Sequence, residues 1–310
     1  MQNRRTFIRQ LGTAGLFLAS GIGSTAVYGR SKSDHITILH TNDVHSRIDP
    51  FPLNDTKFPG MGGFARRAAL IEKIRKEEEH VLLLDAGDIF QGTPYFNLFS
   101  GKPEIELMSK MGYDASAIGN HDFDGGIDNL ATRAGEGSFP FLCANYDFSD
   151  TPMNGKTLPY KVFNKGNLKI GVFGLGIELA GLVDKRSCGE TRYTNPVLTA
   201  QKMSRLLRHD LKCNLVICLS HLGYRYDNNK VSDEVIAANT RGIDLIIGGH
   251  THTFLDEPAV RIAADGKKVL IAQTGWGGVR LGRIDFSVGG EVKHFSHSSI
   301  IKKTFNYTIG

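Results

Sequence analysis

Imidazole, carboxylate and carboxamide side chains recur along this chain in short groups: Asp43-Val44-His45, Asp85-Ala86-Gly87-Asp88, Asn120-His121-Asp122, Ser220-His221 and His250-Thr251-His252. Together they are the donor set of a metal site. Mixed nitrogen and oxygen ligands suit zinc, manganese, iron or cobalt and would not select calcium. Singly, each group is weak. An Asp-x-His is ordinarily a turn, a lone His221 ordinarily a hydrogen-bonded histidine, and a lone Asn120 a cap or turn residue. His250 and His252 carry more, because residues two apart on an extended segment face the same side. Dinucleotide and phosphate-loop chemistry find no support. There is no Gly-x-Gly-x-x-Gly, and the glycine-rich Gly60–Gly63 lacks the Gly-Lys-Ser/Thr ending.

These groups need a scaffold that delivers them to one place. Apolar runs predict strands over His35–His40, Val81–Asp85, Ala115–Ile118, Phe141–Ala144, Lys169–Gly174, Leu215–Leu219, Leu245–Ile247, Lys268–Gln273 and Leu281–Val288. Helical periodicity appears over Phe64–Glu79, where Ala65, Ala68, Ala69, Ile71 and Ile74 interleave with charges. Pro103–Met111 and Val197–Leu211 read the same way, with Asn195-Pro196 as a start for the latter. Strands alternating with helices argue an α/β layer architecture. Asp49–Gly60, with Pro50, Pro52 and Pro59, reads as an irregular loop. Each of the five polar groups ends or directly follows a predicted strand. Open α/β sheets collect their ligands beyond the carboxyl ends of the strands, so five separate segments are predicted to meet in one region.

Taken in order, the motifs resemble the calcineurin-like metallophosphoesterases and, more closely, their 5′-nucleotidase branch. The residues that carry the resemblance are Thr41-Asn42-Asp43-Val44-His45, Gly60-Met61-Gly62-Gly63 before Ala65-Arg66, and Asp85-Ala86-Gly87-Asp88-Ile89-Phe90-Gln91-Gly92-Thr93-Pro94. They continue with Gly112-Tyr113-Asp114-Ala115, Gly119-Asn120-His121-Asp122-Phe123-Asp124-Gly125, Ser220-His221 and Gly248-Gly249-His250-Thr251-His252, so that the likeness runs from His35 to Gly282. It implies a four-layer α-β-β-α sandwich and two divalent cations (zinc, manganese, iron or cobalt). By that resemblance Asp43, His45, Asp88 and His252 hold the first cation. Asp88, Asn120, His221 and His250 hold the second, with Asp88 bridging. A shared carboxylate offsets the repulsion of two dications held about 3.5–4 Å apart.

The resemblance also makes His121 catalytic and pairs it with Asp124. An i, i+3 spacing puts both side chains on one side of a helical turn, where the carboxylate would fix the imidazole tautomer and favour its charged form. The implied reaction is in-line attack of a metal-activated hydroxide on a phosphate monoester, nucleoside 5′-phosphates foremost, with His121 donating a hydrogen bond or proton. Two other readings share these motifs. One is cleavage of a cyclic nucleotide or another ester, the other a catalytically idle metal-binding subunit of a two-chain complex.

With 41% hydrophobic and 22% charged residues, the chain has the balance of an ordinary soluble globular protein. Of its net charge of +5, three positive charges (Arg4, Arg5 and Arg9) lie in residues 1–29, which hold no acid, leaving +2 for the rest. That is no footprint for nucleic acid, which needs Lys and Arg clustered on a working face. Asn3-Arg4-Arg5-Thr6-Phe7-Ile8-Arg9 and the small, apolar run Leu11–Val27 read as a twin-arginine export signal over residues 1–30. The run is shorter than the roughly 20 apolar residues of a membrane span, and export implies a bacterial periplasm. Residues 31–310 are expected to form a single metallophosphoesterase domain, without the second, nucleobase-binding domain of full-length 5′-nucleotidases. Either specificity is broad or a separate chain supplies that recognition, the separate chain being the expected source. Cys143, Cys188, Cys213 and Cys218 form no C-x-x-C pair and no zinc-finger spacing. They read as thiols without chemistry, a disulfide being the alternative in an exported protein. Cys213 and Cys218 flank one apolar run at an odd offset and are expected on opposite faces of a strand.

Overall fold

The first apolar run, His35-Ile36-Thr37-Ile38-Leu39-His40-Thr41, shows how the layers arise. Its side chains alternate across the pleat: Ile36 and Ile38 enter one core, Leu39 another. The computed structural model describes residues 35–287 and 292–299, so the expected export signal over residues 1–30 lies outside the described residues. Every run read as a strand forms one, and six more complete the set. In chain order they are β1 (His35–Thr41), β2 (Val81–Asp85), β3 (Ala115–Ser116), β4 (Phe141–Leu142), β5 (Tyr146–Asp147), β6 (Thr157–Leu158), β7 (Tyr160–Lys165) and β8 (Leu168–Leu175). Then follow β9 (Arg192–Tyr193), β10 (Leu215–Ser220), β11 (Leu245–Gly248), β12 (Ala259–Ile262), β13 (Lys268–Ala272), β14 (Arg280–Ser287) and β15 (Val292–Ser299).

Seven strands form one sheet in the order β15-β14-β1-β2-β3-β4-β6, and six form a second in the order β12-β13-β11-β10-β8-β7. The middle of each sheet is parallel: β1, β2, β3, β4 and β6 in the first, β8, β10, β11 and β13 in the second. Parallel strands buried on both faces read as continuous apolar runs. That is why β2 (Val81-Leu82-Leu83-Leu84-Asp85) is buried throughout.

Three cores separate four layers. Ile38, Leu82 and Leu84 of the first sheet pack with Ile170, Ile217 and Ile247 of the second. On the outer face of the first sheet, Leu39 and Leu83 meet Phe64, Ile71 and Ile74 of helix Phe64–Glu77 and Ile105 and Met108 of helix Lys102–Met111. Outside the second sheet, Val216, Cys218 and Ile246 meet Ala200 and Met203 of helix Pro196–Arg205 and Ile236 of helix Asp233–Asn239. Each fully buried Val, Leu, Ile, Phe or Met among them contributes about 1.5–3 kcal/mol. The architecture is the expected α-β-β-α sandwich. No helix among the described residues is long and apolar enough to cross a membrane.

Three expectations need correction. β3 and β4 span two residues each, not four. After β3 the backbone rises against Asp88, so tightly that a Cβ at Gly119 would lie 2.1 Å from Asp88 Oδ1. After β4 the chain crosses between sheets, and the Ala144 N–H donates to Gly174 O of β8 at 2.9 Å. The helix read over Val197–Leu211 starts as expected, with Asn195 Oδ1 accepting from the amides of Val197 and Leu198. It remains α-helical only to Arg205 and widens into a π turn over Leu206–Asp210. Finally, Cys213 precedes β10, so strand parity does not govern it. It shares one core with Cys218, and all four cysteines are free and buried.

Candidate metal centre

Beyond their last residues β1 and β2 stay paired. The Asp43 N–H donates to Gly87 O at 2.9 Å, His45 N–H to Asp88 O at 3.0 Å and Ser46 N–H to Ile89 O at 2.8 Å. Two ligand-bearing loops thus leave the sheet side by side. Asp43, His45 and Asp88 take left-handed backbone, with φ of 49°, 50° and 57°, as do His250 and His252 at 69° and 51°. A non-glycine residue held there costs roughly 1–3 kcal/mol and persists only where its surroundings impose it. Stability is given up here to aim side chains.

Two groups result. In the first, His45 Nε2 and His252 Nε2 approach to 3.0 Å, and His252 Nε2 lies 3.4 Å from Asp43 Oδ1. In the second, His221 Nε2 lies 3.0 Å from Asp88 Oδ2, and His250 Nδ1 lies 2.8 Å from Asn120 Oδ1. Candidate ligand atoms of Asp43, His45 and His252 all fall within 4.8 Å of one another, as do those of Asp88, His221 and His250. Asp88 Oδ2 is also 3.9 Å from His45 Nε2, so it faces both groups. All seven residues that the resemblance implies as ligands meet here.

The donor set fits divalent cations. His221 Nε2 is buried and faces inward, 3.0 Å from Asp88 Oδ2. Its Nδ1 faces Ala86 O at 2.7 Å, and His45 Nδ1 faces Phe90 O at 3.3 Å. A carbonyl can only accept, so each Nδ1 donates and each Nε2 is left as the inward atom, the arrangement that outer hydrogen bonds impose on ligating histidines. Ring nitrogens converging beside two buried carboxylates need a positive charge among them, a cation or a proton.

A model of the calcineurin-like phosphoesterase family matches residues 36–254. The chain belongs to the calcineurin-like phosphoesterases. Members of this family use two divalent cations, the number of ligand groups brought together here. Snake venom 5′-nucleotidase of Gloydius brevicauda is 36% identical over 264 residues, covering 78% of this chain and 43% of that protein. The 5′-nucleotidase precursor of Thermus thermophilus superposes with a TM-score of 0.76 at 31% identity, over 86% of this chain and 54% of that one. The calcineurin-like phosphoesterase YfkN of Bacillus subtilis gives a TM-score of 0.68 at 25% identity, over 86% and 91%. The chain spans about half the length of the curated nucleotidases it matches.

In this calcineurin-like centre, protons and cations compete for the same atoms. Burial alone would lower the His221 pKa, but Asp88, by charge and contact, outweighs it and pushes it up to about 10. Burial likewise works against the Asp88 carboxylate, yet His221 holds it well below the usual carboxylate range. Burial and the neighbouring His221 push His250 down to about 4, and burial lowers His45. Both are therefore neutral at pH 7, the form that ligates a metal.

At the mouth stand His121 and Asp124, whose side chains are 39% and 32% exposed. His121 Nδ1 meets Asp124 Oδ2 at 2.8 Å, in the expected pairing. That bond raises the His121 pKa, burial opposing it. The His121 amide donates to Asp88 Oδ1 at 2.8 Å, tying this residue to the carboxylate that faces both groups.

Several supporting residues had no role in the sequence reading. The Asp122 carboxylate accepts from the amides of Asp88, Ile89, Phe90 and Gly119. Asn42 Nδ2 donates to Gly275 O at 2.6 Å, and Asn42 Oδ1 accepts from the amide and hydroxyl of Thr274 at 2.8 and 2.7 Å. Gln273 Nε2 donates to Gly249 O at 2.7 Å, beside the His250 loop. Asn42 lies within Thr41–His45 and Asp122 within Gly119–Gly125, and their amide and carboxylate are the available signal. Gln273 and Thr274 follow β13 outside any motif and gave none.

Proposed function

We propose that this chain hydrolyses phosphate monoesters, nucleoside 5′-phosphates foremost, with two divalent cations held by Asp43, His45, Asp88, Asn120, His221, His250 and His252. One observation carries the reading: two converging ligand groups face a shared Asp88 carboxylate, with a paired imidazole at their open side. Dications bound there supply charge for the phosphoryl oxygens and make water acidic enough to furnish a nucleophile at neutral pH.

The remaining work falls to side chains. Asp88 and Asp43, buried and fixed by backbone amides, hold negative charge where the cations must sit. His121 engages Asp124 through Nδ1, which leaves Nε2 to donate to the ester. Because Asp124 raises its pKa, His121 keeps that proton to higher pH than an ordinary imidazole. Proton donation of this kind is typically worth about 10²–10⁴ in rate.

The names of the similar proteins, snake venom 5′-nucleotidase and a Thermus thermophilus 5′-nucleotidase precursor, support a nucleotide substrate. The described centre accounts for the phosphate end of that substrate. We infer that recognition of the leaving group draws on residues outside the described centre, a separate chain being one source. The Arg4-Arg5 segment supports export to a periplasm. Comparing phosphate release from AMP, an aryl phosphate and a bis-aryl phosphate, with and without chelator, tests these readings. Chelator-sensitive release from both monoesters, fastest with AMP, supports the nucleotidase reading without a partner. Release from aryl phosphate and hardly from AMP supports the separate chain. Preferred cleavage of the diester, or no release by the chain carrying two cations, overturns the monoesterase.

A further inference from the structure

Trp276 is the only tryptophan of the chain. It sits on the turn between β13 and β14, against the first ligand group. Its indole stacks on the His252 imidazole, with centroids 5.7 Å apart and planes 15° from parallel. It meets the His45 ring at 6.5 Å and 67°. Phe51 and Phe58 close in edge-on at 5.4 and 6.0 Å, leaving the indole boxed on several sides.

His252 needs such support. Its side chain is 40% exposed, against 0% for His221 and 7% for His45. Backbone carbonyls orient His45 and His221 through their Nδ1 atoms. No hydrogen bond fixes the Nδ1 of His252 among the described residues. The indole lies instead over the face of the ring, where stacking restrains the plane of the imidazole.

The backbone under Trp276 is in turn fastened to the ligand loops. Asn42 holds Gly275 O and the Thr274 amide, and the Gly277 N–H donates to Asp43 O at 2.7 Å. Gly275 has φ of 78°, and a Cβ there would lie 2.2 Å from the Phe254 ring. The turn therefore has one way to sit, and it places the indole over His252.

We propose that Trp276 is a positioning residue for the first cation: it holds the His252 imidazole in ligating orientation and sets the affinity of that group of ligands. The indole restrains the plane of the His252 ring, where carbonyl oxygens at Nδ1 orient His45 and His221. Loss of an outer partner of a ligating histidine typically weakens metal binding about 10–100-fold.

The inference rests on the proposed ligand set, and its test needs no substrate. The metal-free chain is titrated with Co²⁺ while bound metal and tryptophan emission are followed together. Because the emission has one source, filling of the first group is expected to change it. Trp276→Leu keeps an apolar side chain and removes the flat ring. It is expected to keep one Co²⁺ and to bind the other about 10–100-fold more weakly. Trp276→Phe, which restores a stacking face, is expected to recover most of that affinity. Constant emission while two Co²⁺ bind overturns the proposal, as does Trp276→Leu with both affinities unchanged. Should Trp276→Leu not fold, the emission of the unaltered chain decides alone. A chain that binds two Co²⁺ with this signature yet releases no phosphate contradicts the proposed activity and leaves the role of Trp276 standing.

Discussion

The Asp122 carboxylate accepts the backbone N–H of Asp88 at 3.1 Å, so the residue after His121 fixes the backbone of the ligand that faces both groups. The same carboxylate takes the amides of Ile89, Phe90 and Gly119 at 2.9, 3.2 and 2.8 Å. Burial, and then the charge of Asp88, nevertheless push its pKa up to about 7. Asp122→Ala strands four buried donors, and a buried donor left unpaired costs about 1–3 kcal/mol. The metal-free variant should melt below the unaltered chain, since a loss of about 2 kcal/mol shifts a chain of this size by roughly 3 °C. Equal melting temperatures would show that water replaces the carboxylate and that the loop does not depend on it.

The pairing of His121 with Asp124 predicts a pH effect. The Asp124 hydrogen bond raises the pKa of His121, and the acid form is the one that donates. Activity should therefore fall as pH rises through that raised value. Asp124→Asn removes the charge and keeps the shape, so the alkaline limb of kcat/KM should move to lower pH. A limb that stays in place assigns the proton to another group.

Cation binding should release protons and add stability. In the cation-free chain His221 is charged at neutral pH, its pKa pushed up to about 10 by Asp88 against the effect of burial. A dication displaces that proton, which an indicator dye in weak buffer at pH 7 would register. Binding only to the folded state adds about 2.7 kcal/mol when free metal is 100 times Kd. Melting temperatures that match in chelator and in excess Mn²⁺ would count against both groups as cation sites.

Most of what positions the site was legible in the sequence because parallel strands advertise themselves. Val81–Asp85 is apolar on both faces, and its limits were read to the residue. Each ligand group follows such a run, so its destination followed from the architecture. Other elements left weaker marks. Helix Ile127–Glu136 buries Ile127, Leu130 and Ala131 at helical spacing, a short pattern of three residues. β7 (Tyr160–Lys165) is an edge strand, only partly buried, so its pattern was faint. The outer support of the ligands could not be read at all. Thr274 reaches Asn42 across 232 residues, and Trp276 reaches His252 from a turn that carries no recognised motif. Such contacts depend on how loops from two sheets meet, which local pattern does not encode.

Two cations, held by the two ligand groups, are expected to make this chain a phosphoesterase. The most direct measurement follows phosphate release from an aryl phosphate while the chelated chain is reloaded with Mn²⁺ and bound metal is counted. Activity is expected to be absent without metal, to rise as the second equivalent binds, and to be lost in Asp88→Ala. Full turnover with no bound metal, or turnover unchanged in Asp88→Ala, would contradict the account.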